Sequence, residues 1–554
     1  MVEIIATEEI RHLTLSPDAN FSAYNGLDVL NTLDLYNELK TLREPVVDKT
    51  YAFSKALQGP VIDMMLTGVK IDLARRNEAL HYLRLTQFRY QEIINAFSDA
   101  VCGQPLNVES PQQMKDFFYK TMGIPEVKTR KGREFKVSAD KEALEKIAQY
   151  FYARPIVTMI LALREINGEI EVLERKVSSD GRMRCSFNIA GTITGRFSSS
   201  KDISGEGANL QNIKGPLRDV FIADEGQKLG YIDLEQAESR LVGLMAKSIC
   251  NDSTYLDSCL AGDLHTTVCK MVWPELPWTG DASSDKKVAE TPYFGHYSFR
   301  DMSKRGGHLS NYNGSPGVMA IALKIPQHVA EEFQTKYFSQ FPGIKEWHRW
   351  VATQLRTNGF LLTPFGRKRC FFARTEENKT LSEAISYAPQ SCIADMLNDG
   401  MLRFWRKLRN GLPGQLLIQV HDAVVIQAPE ESFDETVAEC ISCLEAPLEG
   451  ADGFFIPSDA QSGWNWGKAT SPYVPGKAYK KGEKFHFENH SKLFKTLCTV
   501  ESGTILDAKS PAVAATLLWK NPGGMQAWKP NDKSRSRPPQ TQFTAPTLSE
   551  LLSP

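Results

Sequence analysis

The sequence predicts an α+β fold, and three observations carry that prediction. Apolar residues recur at helical spacing through 51–100 and through most of 246–355. Short apolar runs bounded by glycine-rich turns fill 181–245. Far along the chain from LGYI, the run that ends at Asp233, GQLLIQVHDAVVIQAP reads as two β runs meeting at His421-Asp422.

In chain order, residues 1–50 are mixed and polar and end in a helical stretch from Tyr24 to Tyr36, a piece too short to bury a core alone. One long helix with a basic face is predicted for 51–100, because Arg75, Arg76, Arg84 and Arg89 intersperse the apolar positions. The stretch 104–145 reads as a short helix, a basic loop on Lys128, Arg130, Lys131 and Arg133, and a second helix; that loop serves equally as solvated surface or as phosphate contact. In 181–245 strands alternate with turns until LGYID passes into the helical pattern EQAESRLVGLMA. Mostly helical sequence follows to about 355, then TNGFLLTPFGRKRCFFAR reads as a hairpin and 380–410 as a helix. Beyond Trp466 the composition shifts to Pro, Lys, Ser and Gln, which predicts a disordered end and a tail beyond about 475 that is dispensable for chemistry. No internal repeat is visible.

The composition, 42% hydrophobic and 24% charged over 554 residues, supports a sizeable buried core. No run approaches eighteen apolar residues and the N-terminus carries early charges, so a cytosolic protein without a membrane partner is expected. The ten cysteines are scattered, which fits reduced thiols; Cys440 and Cys443 form a CxxC with no second pair at zinc spacing. A net charge of −1 does not announce a nucleic-acid binder, although acidic metal-site residues can balance a basic channel within one chain.

Asp233 and Asp422 stand at the end and the turn of apolar strands, where a carboxylate costs stability unless paired or metal-bound. Each taken singly is also an ordinary cap or turn residue. Between them runs Arg300-x3-Lys304-x3-His308-x3-Tyr312, and on a helix those positions share one face, cationic and then aromatic. Such a face suits a triphosphate and its base, or is a solvated stripe.

At these residues the sequence resembles the family A DNA polymerases, the DNA polymerase I type, in the right order over roughly residues 51–470. The first palm motif appears as Asp233-Leu-Glu-Gln236-Ala-Glu238-Ser-Arg240, the fingers motif as Arg300, Lys304 and Tyr312, and the third as Gln419-Val420-His421-Asp422-Ala423. Thr194-Gly195-Arg196-Phe197, Asn209-Leu210-Gln211-Asn212, Asp263-Leu264-His265-Thr266, Phe365-Gly366-Arg367, Gln390 with Asp395, and Gly463-x-Asn465-Trp466 also match. The sequence departs from the pattern at His308, usually aromatic, at Gly306 and Gly307 within the helix, at Asn313 after the tyrosine, and at Ala423, where the motif has glutamate. That combination is closer to phage-type members than to the bacterial repair enzyme.

The resemblance implies a right-hand architecture: palm at 51–73, 186–245 and 356–470, thumb at 74–185, fingers at 246–355 and a partly disordered tail at 471–554. It implies a template-directed polymerase taking dNTPs on primer-template DNA, with two Mg²⁺ ions, or Mn²⁺ in their place, on Asp233, Asp422 and the Leu234 carbonyl. Arg300 and Lys304 would hold the phosphates, and Lys304 would also protonate pyrophosphate. His265 is a further phosphate candidate or a plain helix-start residue. Tyr312 and His308 would border the nascent pair with Gln236 nearby, and Glu238 would exclude a 2′-hydroxyl, which argues against a single-subunit RNA polymerase. Arg196, Asn209, Gln211, Asn212, Arg367, Gln390, Gln419 and His421 would contact DNA, with Arg196, Gln211, Gln390 and His421 facing the minor groove.

Residues 1–50 are expected to be the remnant of a 3′-5′ exonuclease domain: Tyr24-x3-Asp28 matches its later element, but no Asp-x-Glu precedes it. A separate exonuclease chain or processivity factor would then be a partner. Two rival classes are a catalytically dead scaffold, against which the retained Asp233, Asp422, Arg300 and Lys304 argue, and a metal nuclease, which would need more closely placed carboxylates.

Overall fold

The computed structural model describes residues 17–529 except 132–133, 203, 296, 376, 450, 452, 470–473, 480–482, 486, 488–491, 499, 508, 511, 520 and 522. Helix α1 (Pro17–Leu42) carries Phe21, Leu30, Leu33, Leu35, Tyr36, Leu39 and Leu42 on several sides, all exposed. The disorder expected after Lys529 lies outside the described residues.

The single helix expected for 51–100 is broken. Helices over Asp48–Ala56 and Gln58–Thr67 end at Gly68, φ +63°, and strand β1 (Val69–Ile71) follows before helix α2 (Leu73–Cys102). A Cβ at Gly68 would sit 2.8 Å from the Met183 carbonyl oxygen, so the approach of the neighbouring strand requires glycine there. Asp72 caps α2 by accepting the Arg75 N–H at 2.9 Å. The basic loop at 128–133 also differs: β2 (Lys128–Lys131) and β3 (Glu134–Val137) form an antiparallel hairpin. Helix α3 (Arg154–Glu174) packs along α2, and a core of Ile94, Phe118, Leu144, Ile156, Val157 and Ile160 lies between them and the intervening segment. Strand β4 (Arg182–Met183) and β5 (Phe221–Ile222) flank β1 in a three-stranded sheet.

Strand β6 (Gln227–Leu234) is followed by helices α4 (Ala237–Cys250), α5 (Leu264–Val272), α6 (Phe299–Asn311), α7 (Gln327–Gln340) and α8 (Pro342–Asn358). These helices share a core built on Trp273, Met302, Phe333, Tyr337, Phe341 and Trp347. The predicted hairpin forms as β7 (Phe360–Leu362) and β8 (Lys368–Cys370), leading into helix α9 (Asn378–Arg409). Strands β9 (Gln415–Val420) and β10 (Ala423–Pro429), helix α10 (Phe433–Leu444) and strand β11 (Ser458–Gly463) complete the central body.

The tail does not leave the molecule at 471. Strands β12 (Lys484–Phe485), β13 (Lys492–Thr496) and β14 (Val513–Trp519) form a small sheet over Tyr479, Phe485, Val500, Leu506 and Val513. The chain then returns, and β15 (Gln526–Ala527) pairs with β11, giving an antiparallel sheet of order β9-β10-β6-β11-β15. Trp528 packs on the main core and donates its indole N–H to Asp434 at 3.0 Å. A few residues within a compositionally poor stretch thus rejoin the sheet. All ten cysteines are free thiols. No helix among the described residues is long and apolar enough to cross a membrane.

Candidate active site

Antiparallel pairing of β6 with β10 sets Asp233 opposite Ala423, and the Leu234 N–H donates to the Asp422 carbonyl at 3.1 Å. The end of β6 is thereby stitched to the two-residue turn His421-Asp422. His421 takes a left-handed conformation, φ +53°, to make that turn. Gln419 donates its amide to the His421 carbonyl at 2.8 Å, and Gln211 donates to the Gln419 side-chain oxygen at 2.8 Å. Both glutamines are buried, and their amides support the turn.

Burial pushes the Asp233 carboxyl up to about 7, with the charges of Asp422, Asp459 and Glu235 adding to the effect. Asp459, on β11, lies directly across from Asp233. Sequence reasoning missed it; the signal was its position four residues before Gly463 in the same block as Asn465 and Trp466. Burial also raises the Asp422 carboxyl, against the pull of Arg196. The Arg196 guanidinium stands 3.2 Å from both Asp422 and Glu238. Arg196 leaves Gly195, φ +81°, where a Cβ would lie 2.6 Å from the Arg367 guanidinium carbon, and Arg367 is clamped by Asp395 at 3.0 and 2.6 Å.

Helix α6 starts with a capping box of Ser298 and Asp301. It buries Met302, Ser303, Gly306, Gly307, Ser310 and Asn311 and leaves Lys304 and His308 exposed on the opposite side. The two glycines are explained by packing: a Cβ on Gly306 would come within 2.6 Å of the Phe333 ring. Asn313 adopts φ +58°, a left-handed conformation that asparagine tolerates almost as glycine does. His308 Nδ1 is 3.4 Å from Glu238, and its ring meets Tyr312 edge-on at 4.9 Å. The Tyr312 hydroxyl is raised first by burial and then by the neighbouring Glu238 charge.

Arg300 is held by Asp263 through bonds of 2.9 and 2.8 Å. Burial alone would raise the Asp263 carboxyl, but the Arg300 and Thr266 hydrogen bonds bring it down to about 2. Burial and the Arg300 charge lower His265 to about 4, so its imidazole is neutral at pH 7. Lys304 forms no ion pair among the described residues. Gln236 sits at the N-cap of α4 with φ +53°, Asn209 accepts the Ser199 hydroxyl, Asn212 is exposed, and Gln390 is half-buried on α9. One connected group thus gathers Asp233, Asp422, Arg196, Glu238, His308 and Tyr312; a second gathers Arg300, Asp263 and His265.

The sequence model described as DNA polymerase family A matches residues 81–468. The chain belongs to DNA polymerase family A. It is 28% identical over 423 residues to the thermostable DNA polymerase I of Thermus thermophilus, covering 71% of this chain and 46% of that protein. It is 27% identical over 445 residues to DNA polymerase I of Chloroflexus aurantiacus, covering 76% and 43%. The chain therefore spans about half the length of these curated relatives. Its fold resembles the POL domain of Pol1 from M. smegmatis, solved in complex with DNA primer-template and dNTP, with a TM-score of 0.61, 23% identity, and coverage of 74% of this chain and 69% of that one.

Proposed function

We propose that this chain is a template-directed DNA polymerase that adds deoxynucleotides to a primer 3′ end by phosphoryl transfer assisted by two divalent cations. The observation that carries the reading is the meeting of Asp233 and Asp422 at one end of the central sheet, beside a helix whose exposed side is cationic. Burial and neighbouring carboxylates hold the Asp233 carboxyl near 7, a crowding that a bound cation relieves. No group of three or more Asp, Glu, His or Cys side chains among the described residues could hold a metal by itself. Two aspartates with a backbone carbonyl at Leu234 nevertheless fit Mg²⁺, which keeps several waters and takes its remaining ligands from substrate phosphates. When bound, the ions would supply activation of the primer hydroxyl and charge stabilisation at the leaving pyrophosphate.

The chain's own residues would do the positioning. Lys304 projects freely and Arg300, exchanging Asp263 for phosphate, would neutralise the triphosphate, with Lys304 also giving a proton to pyrophosphate. The neutral His265 would act there as a hydrogen-bond partner and not as a cation. Arg196 would release Asp422 to the cation and turn to the primer-template, joining Asn212, Arg367, Gln390 and His421. Glu238, between Arg196, His308 and Tyr312, would press on the sugar C2′ and select deoxynucleotides. The departures at His308, Asn313 and Ala423 support a phage-type variant. The exposed apolar side chains around α1 support docking of a further chain, an exonuclease or processivity factor.

Primer extension tests the reading. The purified chain should extend a primer with dNTPs far better than with NTPs, and Glu238→Ala should raise the relative use of ribonucleotides. Extension with neither set would end the reading; an unchanged preference in Glu238→Ala would remove only the gate.

A further inference from the structure

The connection from β8 into α9 carries the most exposed large apolar side chain among the described residues: Phe372 is 96% exposed. The segment is tied to the preceding helix end just before it and forms a local turn just after it. The Phe371 N–H donates to the Gly359 carbonyl at 2.9 Å, and the Glu377 N–H to the Arg374 carbonyl at 3.2 Å. Phe371 itself is covered, with the Arg369 guanidinium 4.4 Å from its ring centroid and Tyr387 edge-on at 6.3 Å. Of the two adjacent rings, one is tucked in and the other projects.

The charges nearby divide into two sets. Arg367, Lys368 and Arg369 are committed to Asp395, Glu44 and Glu383. Arg356, at the end of α8, and Arg374 are exposed and form no ion pair among the described residues. Lys379, at the start of α9, is 72% exposed and has only Glu383 at 4.0 Å. Against these three the sequence of the connection sets two carboxylates, Glu376 and Glu377, of which Glu377 is exposed. An aromatic platform among exposed basic side chains is the surface that unpaired nucleic acid requires: a base stacks on the ring and the phosphates meet the cations. A duplex presents no free base face along its length.

Position puts the ring near the catalytic aspartates, and the unpaired part of a primer-template is the template overhang. Arg367 lies against Gly195, whose neighbour Arg196 contacts Asp422. Five residues of extended chain span at most about 17 Å, so Phe372 stands within about five stacked base steps of Arg367. We propose that Phe372 is a stacking platform for an unpaired nucleotide of the template strand, with Arg356, Arg374 and Lys379 holding its phosphates. The inference rests on the polymerase reading above and adds to it a strand and a point of contact.

The test compares binding of the whole chain, without nucleotides, to a primer-template with a 5′ template overhang and to the same duplex made blunt, by fluorescence anisotropy at fixed salt. The wild type should prefer the overhang. Phe372→Ala should lose roughly tenfold in affinity for the overhang substrate and nothing on the blunt duplex, while Phe372→Trp keeps the preference. Because Phe372 is almost fully exposed, neither variant removes core. Unchanged overhang affinity in Phe372→Ala overturns the proposal, and so does an equal loss on both substrates. A wild type that extends primers but ignores the overhang removes the platform and leaves the polymerase reading standing; a wild type that extends nothing removes both.

Discussion

Adding one methyl group to α6 at either of two adjacent glycines should give opposite results. At Gly306 the new Cβ would fall 2.6 Å from one carbon of the Phe333 ring and 2.9 Å from the next. Phe333 cannot yield cheaply, since it is fully buried, stacked at 23° on Tyr337 and packed against Trp273. Overpacking of that kind costs about 1–3 kcal/mol. At Gly307 the Cβ would lie 3.4 Å from the Tyr337 ring, an ordinary contact. Both substitutions gain about 1 kcal/mol of helix propensity, so that gain cancels between them and the clash remains. Gly307→Ala is expected to be neutral to stabilising, and Gly306→Ala to be less stable than Gly307→Ala by about 1–3 kcal/mol, read from urea midpoints at equal slope. Gly306→Ala should also raise the KM for dNTP, because a shifted α6 displaces Arg300, Lys304 and His308 together. If Gly306→Ala proves the more stable of the two, the packing explanation for these glycines is wrong.

Asp233→Ala and Asp422→Ala should each abolish primer extension while leaving duplex binding within a few fold, measured by extension and by anisotropy on one preparation; turnover like wild type in either ends the two-cation assignment. Because the folded chain keeps a proton on Asp233 up to about pH 7 while the unfolded chain releases it near 3.8, this residue's contribution to stability falls as pH rises between those values. Asp233→Asn should flatten that part of the metal-free stability profile, and an unaltered slope would count against the shift. Trp528→Ala should cost about 2 kcal/mol, less than a fully buried tryptophan because Trp528 is half-buried; a neutral result in thermal unfolding would restore the tail to the dispensable part of the chain.

What could be read in advance was whatever local pattern determines. The runs QLLIQV and AVVIQAP specify strands because each holds three or four consecutive apolar residues, as strands covered on both faces do. The i, i+4 spacing from Arg300 to His308 specifies a common face because α6 is a helix. Features that depend on distant partners were not legible. Gly68 breaks a helical pattern only because the Met183 carbonyl stands above it. Gln211 and Gln419 look like polar surface residues until their mutual bond is seen. Asp459 belongs beside Asp233 through strand pairing, and its place four residues before Gly463 marks the block without naming that partner. The return of Gln526–Trp528 to the sheet is carried by a few residues within a compositionally poor stretch.

The position of β6 at the middle of the central sheet has a consequence for how the chain is made. Its partners on both sides, β10 and β11, are synthesised only after the entire helical block. Until then an apolar strand waits with two open hydrogen-bonding edges, the condition under which strands pair with the wrong chain. Asp233 and Asp422 likewise come together only when that long loop closes, the slow kind of contact in folding. Fragments that stop within 246–355 should therefore aggregate on expression, whereas chains carried past Gly463 can close both edges of β6.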